Sequence, residues 1–293
     1  MEKHYSTHYK ANYIEGNVYA ITGGGSGFGK AAALEILKMG GKVAIMGRRM
    51  ERLEEVIKEA EVLGKKENIV AYAGDVSDYE ANRAFVKLAV NSFGKLDAFW
   101  ANAGVMPNAR LDEYEKNLAA WEKCIDINFK GTLHGICAAY EQFEKQGYGH
   151  FLATSSIHGN YPTEGAAVYA ATKKAIRFMV HGLQVESPGF IKCTIINPPG
   201  VGTTKLAESV TDVSYGSRLK TGGMAGANAP YIMANRQKQA SGEVPEFGDN
   251  ENIQYVMLNT DEMVWGVMYA LNQPRGVSVS TLTMHAGNEG VML

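Results

Sequence analysis

The sequence predicts an α/β fold, a doubly wound parallel sheet of seven strands with helices on both faces. Three observations predict it. Short apolar, β-branched runs alternate with longer helix-spaced stretches from residue 17 onward. The first run passes straight into a glycine-rich turn and then a helix. A chain of 293 residues, 45% hydrophobic and 20% charged, is long and apolar enough to bury such a core.

The strands are expected at Val18 to Thr22, Lys42 to Met46, Asn68 to Tyr72, Leu96 to Trp100, His150 to Thr154 and Ile191 to Ile196. Each is a short apolar run of the kind a parallel strand buried on both faces needs. Helical spacing fills the intervals at about 27–40, 50–63, 79–93, 113–145 and 166–186. Strand-helix alternation of this kind implies right-handed crossovers that cover both faces. After Gly200 the regularity lapses. Residues 205–255 read as an inserted lobe or flap, with several Gly and scattered Met, Tyr and Phe. A helix near 260–272, Pro274 as a stop and a last strand from Val277 to Met284 resume the pattern. With no repeat, linker or low-complexity tract, residues 1–293 read as one domain with an N-terminal extension over 1–16.

Composition narrows the function classes. A formal net charge of -2 argues against nucleic acid or an anionic membrane as partner. Cys124, Cys137 and Cys193 lack metal-ligand spacing, so no metal is expected, and so sparse a set suits a reducing compartment. No stretch approaches the roughly 18 apolar residues of a membrane span, and the polar start lacks a signal-peptide core. A cytoplasmic protein is expected.

The turn after the first strand reads Thr22-Gly23-Gly24-Gly25-Ser26-Gly27-Phe28-Gly29. Glycine permits the tight turn and lets the backbone approach a pyrophosphate, whose charge rests on the amides opening the helix. Between a first strand and a helix, this loop points to a dinucleotide in a Rossmann-like fold. The second strand ends in Gly47-Arg48-Arg49, where an acid would accept from an adenosine ribose and an arginine accommodates a 2′-phosphate. NADP(H) is therefore favoured, with NAD(H) as the alternative.

Tyr169 and Lys173 are four apart and share a helical face. Alone the pair says little among 15 Tyr. Its company says more: a strand ends at Thr154-Ser155-Ser156, so Ser156 lies at the carboxyl edge of the sheet, where open α/β folds bind ligands. Taken singly, Ser156 could cap a loop, Asn128 could be a solvated helix residue, and Asp75 could be an N-cap. Together, the residues Thr22-Gly23-x-x-x-Gly27-x-Gly29, Asp75-Val76, Asn102-Ala103-Gly104, Asn128, Ser156, Tyr169-x-x-x-Lys173 and Pro199-Gly200-x-x-x-Thr204 resemble the short-chain dehydrogenase/reductase family over about residues 14–205 and 260–285. The thirteen-residue interval from Ser156 to Tyr169 also resembles that family's, which selects Ser156 over Ser155.

The resemblance implies an NAD(P)(H)-dependent oxidoreductase that interconverts a secondary alcohol and a ketone. Tyr169 would be general acid and base, Lys173 would lower its pKa and grip the nicotinamide ribose, Ser156 would donate to the reacting oxygen, and Asn128 would hold a water leading to the lysine. Asp75 and Val76 would flank the adenine, Asn102, Ala103 and Gly104 would support the sheet beside the cofactor, and Thr204 would hold the carboxamide. His158, two residues after Ser156, is a candidate for the substrate pocket. The Met- and aromatic-rich lobe suits a bulky apolar substrate such as a hydroxysteroid; a structural insertion or oligomer contact is the alternative. Small residues along 166–186 (Ala166, Ala167, Ala170, Ala171, Ala175) fit the family's habit of forming tetramers or dimers. Tyr5, Tyr9 and Tyr13 recur every fourth residue and would form an aromatic stripe on a helix, docking on its own or a neighbouring subunit; a disordered tail is the alternative. Two rivals stand beside this reading. An NADP-binding sensor without turnover would have lost Tyr169 or Lys173. A nucleotide-sugar epimerase would carry a different glycine spacing.

Overall fold

The computed structural model describes residues 10–161, 164–201, 206 and 229–289. Seven parallel strands form one sheet: β1 (Val18–Thr22), β2 (Lys42–Gly47), β3 (Ile69–Ala73), β4 (Ala98–Ala101), β5 (Gly149–Thr154), β6 (Ile191–Asn197) and β7 (Thr281–Thr283). Their order is β3-β2-β1-β4-β5-β6-β7. The chain winds outward in opposite directions from β1 and β4, so their crossovers part and leave a crevice at the carboxyl edge. Tyr19 pairs with Val43 on one side and Ala98 on the other, which sets the register of the centre.

Helices α1 (Gly27–Lys38), α2 (Met50–Val62), α3 (Tyr79–Phe93), α4 (Tyr114–Cys124), α5 (Gly131–Gln146), α6 (Ala167–Glu186), α7 (Ala229–Ser241) and α8 (Thr260–Leu271) connect the strands. One face of the sheet packs on α1, α2 and α8 through Ile36, Leu37, Val56, Met263 and Val267. The other packs on α3, α5 and α6 through Phe85, Phe143, Ile176 and Val180. Phe99 and Phe151, on neighbouring strands, stack with centroids 5.6 Å apart, and Phe85 meets Phe99 edge-on at 6.1 Å. Local chemistry sets the helix ends. Asp78 accepts from Glu80 N at 2.9 Å to open α3, and Gly94, at φ 83, closes it. Asn259 and Glu262 form a reciprocal capping box at the start of α8.

Four expectations need correction. The helix expected over 113–145 is two helices joined by a π-helical turn, Ile125–Lys130; an inserted residue leaves the apolar spacing nearly intact while shifting the face. The last strand is confined to Thr281–Thr283, which pair with Ile195 to Asn197 of β6. The irregular 205–255 stretch contains α7, while residues 207–228, with Tyr215 and Met224, lie outside the described residues. Residues 10–17 are not helical, so Tyr13 is not part of a helical stripe; Tyr5 and Tyr9 lie outside the described residues. The segment instead packs on its own chain. Ile14 is fully buried, Asn12 Nδ2 donates to Met39 O at 2.8 Å, and Tyr13 N donates to Asn272 Oδ1 at 2.6 Å. Among the described residues no helix is long and apolar enough to cross a membrane.

Gly149 opens β5 directly against the ring of Phe143, where an added Cβ would overlap the ring carbons of a side chain only 1% exposed. Gly149→Ala is therefore expected to destabilise the fold by about 1–3 kcal/mol through overpacking. Equilibrium urea unfolding checks this, and an unchanged midpoint would show that the ring can move aside.

Candidate active site

The site starts where β1 ends. Gly23 and Gly27 adopt φ +69 and +51, a left-handed backbone that side chains rarely tolerate. A Cβ on Gly29 would strike Gly23 O, so the loop folds tightly over the first turn of α1. Ser26 caps that turn with extended backbone but makes no side-chain cap hydrogen bond, which leaves the opening amides to an outside acceptor. Gly25, Ser26, Gly27 and Phe28 border open cavity.

Thr22 locks the loop to the neighbouring strand. Its hydroxyl accepts from Asn102 N and Ala103 N at 3.0 and 3.1 Å, and Asn102 Nδ2 donates back to Thr22 O at 3.0 Å. Asn102 Oδ1 accepts from Thr154 Oγ1 at 3.1 Å, and Thr154 Oγ1 accepts from Trp100 Nε1 at 2.9 Å. The ends of β1, β4 and β5 are thus tied by one hydrogen-bonded chain. Thr154 O then accepts from Lys173 Nζ at 2.7 Å, which connects the phosphate loop to α6.

Tyr169 and Lys173 lie one turn apart on α6, both nearly completely buried. The lysine nitrogen stands 5.6 Å from the tyrosine ring centre. Burial pulls the Lys173 ammonium down to about 8. Burial pushes the Tyr169 phenol up to about 12, opposed by its hydrogen bond with Ser156. Ser156 follows β5 and opens a short 3₁₀ turn, Ile157–Gly159, accepting from His158 N at 3.2 Å. The His158 ring meets the Tyr169 ring edge-on at 6.0 Å, and burial, then the charge of Arg236, holds its pKa below the ordinary value. Gly159 admits this turn to α6: a Cβ there would stand 3.1 Å from the Lys173 carbonyl carbon.

Asn128 sits in the π-helical turn and is fully buried. Its amide donates to Val105 O, Thr172 Oγ1 and Cys124 Sγ at 3.0, 3.2 and 3.2 Å, and its Oδ1 accepts from Val105 N at 2.9 Å. The side chain thereby clamps the loop after β4. Gly104 lies between Asn128 and the lysine: its missing Cβ would stand 3.2 Å from Asn128 Oδ1 and 3.4 Å from Lys173 Nζ.

A single cavity of ≈ 1060 Å³ runs from Arg48 and Arg49, past Gly23, Gly27, Phe28, Asn102, Ala103 and Gly104, to Ser156, His158, Tyr169, Lys173, Pro199 and Gly200. Asp75 and Val76 border a smaller recess at the arginine end. Burial pushes the Asp75 carboxyl up, but Ser77's amide and hydroxyl, with Arg48 and Lys123 nearby, outweigh it and hold it below the usual carboxylate range. The span therefore has a glycine cradle and helix amino end at its middle, exposed arginines at one end and a tyrosine-lysine pair at the other, which fits a dinucleotide. Thr204 lies outside the described residues. Sequence reasoning missed Thr154, Lys123, Arg236 and Met257. Arg236 and Met257 stand in or just after the irregular stretch, and none of the four carries a motif.

Comparison with known proteins agrees with this geometry. The short chain dehydrogenase family model matches residues 17–214. An oxidoreductase of Listeria innocua is 39% identical over 274 residues, 92% of this chain and 96% of that protein. An oxidoreductase of Staphylococcus haemolyticus is 28% identical over 92% of this chain and 97% of its own. Among solved structures, an alcohol dehydrogenase from the archaeon Thermococcus sibiricus, complexed with 5-hydroxy-NADP, superposes with a TM-score of 0.73 at 23% identity, covering 94% of this chain and 99% of that one. An NAD+-bound xylitol dehydrogenase gives 0.76 at 24% identity, covering 94% and 100%. With most of its length matched by the family model and its site built on the family's motifs, this chain belongs to the short-chain dehydrogenase family.

Proposed function

We propose that this protein is an NAD(P)(H)-dependent oxidoreductase that interconverts a secondary alcohol and a ketone, with NADP(H) preferred. One observation carries the reading. The Ser156 and Tyr169 hydroxyls meet beside Lys173 at the end of the cavity that begins at the glycine loop.

The nicotinamide, when bound, supplies or accepts the hydride at the substrate carbon. The chain's own residues manage the oxygen and its proton. Ser156 donates to the carbonyl oxygen and stabilises the charge that develops there. Tyr169 transfers the phenolic proton to that oxygen in reduction and removes it in oxidation. With the phenol pushed up to about 12, Tyr169 holds its proton across neutral pH and is ready as an acid. Acting as a base needs added positive charge nearby, and Lys173 is the cation within reach. Thr154 O orients the lysine, and Asn128 holds the Val105 loop against it. Tyr169 and Lys173 are both present, which favours turnover over a sensor role.

The cofactor preference rests on Arg48 and Arg49, both exposed at the adenine end with no carboxylate in the place of a ribose acceptor. Apolar walls from Val105, Met106, Val201, Leu206 and Met257 support a substrate with an apolar body, as a hydroxysteroid has. Among the aromatic residues of the 205–255 stretch, Tyr255 does not contribute, since it is buried with its hydroxyl on Glu262. We read the chain as one domain that assembles into a tetramer or dimer, a reading supported by Phe178 and Val185 on α6 and Trp265 and Tyr269 on α8, all exposed.

Two experiments test this. Ketone reduction, followed at the NADPH absorbance, should slow as pH rises toward the Tyr169 value of about 12, while alcohol oxidation should accelerate over the same range. Tyr169→Phe should cost about 10²-fold or more in kcat in both directions; a variant retaining wild-type rates and pH slopes would remove Tyr169 from the chemistry. Arg48→Ala should cut the NADPH-to-NADH ratio of kcat/KM by about tenfold, as expected for one lost charged hydrogen bond. An unmoved ratio would overturn the assignment of Arg48 to the 2′-phosphate.

A further inference from the structure

Arg236 projects from α7 into the wall that Ser156, His158 and Tyr169 share. Its guanidinium lies over Gly200, where any Cβ would collide with it. Nη2 donates to Glu289 Oε1 at 3.2 Å. Glu289 is itself fully buried and accepts from Gly200 N at 3.2 Å and Ala286 N at 3.3 Å, so it is a fixed strut rather than a mobile counter-ion. It aims the guanidinium but occupies only part of the planar fork of five N–H donors. Arg236 Nε is buried with no hydrogen-bond partner among the described residues. Such donors in a folded protein nearly always meet an acceptor.

The surroundings say what that acceptor is. No Asp or Glu is among the described residues that border the cavity, whereas Arg48, Arg49, Lys123, Lys173 and Arg236 do. Glu289 takes one N–H of the guanidinium, and with no carboxylate among the described residues of the cavity wall itself the rest of the planar fork matches a planar anion, bound through two parallel hydrogen bonds. The cofactor's phosphates already have the glycine loop and the amino end of α1, whereas Arg236 stands with His158, whose pKa it depresses, and with Ser156.

We propose that Arg236, aimed by Glu289, binds a carboxylate of the substrate, so that the enzyme acts on oxo- and hydroxy-carboxylic acids whose reacting carbon lies at Ser156 and Tyr169. This rests on the ketone–alcohol reading above and narrows it. The apolar walls take the body of the acid, and Arg236 sets which end of it faces the tyrosine.

The test pairs oxo-acids of increasing chain length with their methyl esters, using wild type and Arg236→Met, with NADPH affinity measured by fluorescence for both. The acids should be preferred in kcat/KM by about tenfold or more in wild type, and the preference should vanish in Arg236→Met while NADPH affinity holds within about twofold. Equal use of acid and ester, or a preference that survives in Arg236→Met, overturns the proposal. So does a loss of NADPH affinity with the acid preference intact, which would assign the guanidinium to a cofactor phosphate. Should Arg236→Met fail to fold, Arg236→Lys keeps the charge but loses the fork: a diminished acid preference supports the proposal and an undiminished one overturns it. If neither acid nor ester turns over, the ketone–alcohol reading fails on its own. Calorimetric titration of malonate into the NADPH-loaded protein then decides the inference: saturable binding lost on substitution of Arg236 supports it, and none in wild type overturns it.

Discussion

Everything at the carboxyl edge of the sheet depends on one hydrogen-bonded chain, Trp100 to Thr154 to Asn102 to Thr22, with Lys173 joined to it through the Thr154 carbonyl. Parallel strands end with backbone groups that have no next partner, and a crevice between diverging crossovers would expose them. Here side chains bridge the gap. The Thr22 hydroxyl takes two amides of the segment after β4, so the glycine loop that follows Thr22 cannot shift without breaking the start of that segment. Because Thr154 stands both in this chain and beneath the lysine, the positions of the glycine loop and of α6, which carries Tyr169 and Lys173, are set together. Such coupling suits a hydride transfer, whose rate depends steeply on the distance between a cofactor held at one end and a substrate held at the other.

The same burial that fixes Lys173 also sets its electrostatics. A buried amine with a neutral carbonyl partner loses hydration that the carbonyl only partly replaces, which is why its pKa falls. Tyr169, buried one helical turn away, shifts the opposite way for the same reason, since its charged form is the anion. Each group therefore resists ionisation alone, and each charge is favoured by the other's. Cys124 joins this enclosure as a bystander, its thiol pushed up to about 11 and its sulfur against the Asn128 amide. The result is a site whose proton inventory shifts with the charge of what enters it.

Much of this was legible from residues alone, for definite reasons. Strands buried on both faces must be uninterrupted apolar runs, so β1, β2, β5 and β6 stand out to within a residue or so. Glycine at Gly23, Gly27 and Gly29 is dictated by backbone geometry, and Tyr169 with Lys173 by helical spacing; such constraints are local and leave a mark in sequence. What was not legible depends on contacts between distant segments. The π-helical turn that presents Asn128 preserves the apolar rhythm on both sides of it. Helix α7 hides because its apolar residues gather on no single face, and the three-residue pairing of β7 with β6 leaves no mark in the run from Val277 to Met284. Cofactor chemistry, common to many chains, is written in motifs. The wall that faces the substrate is not.

That division has a physical origin. Orienting a nicotinamide imposes the same geometry whatever is reduced, so residues suited to it belong on the sheet and on the helices that border its carboxyl edge. Choosing a substrate imposes no shared geometry, and its residues come from α7 and from the tail beyond β7, brought together only when Glu289 reaches Arg236 and Gly200. Gly200 is where the two layers meet: its amide holds the strut, its missing side chain admits the guanidinium, and it borders the same cavity as the tyrosine. A side chain there would separate specificity from chemistry by displacing Arg236. Glycine at this position therefore admits Arg236 to the cavity wall, and the C-terminal segment, far from Tyr169 and Lys173 in sequence, becomes part of that wall's support.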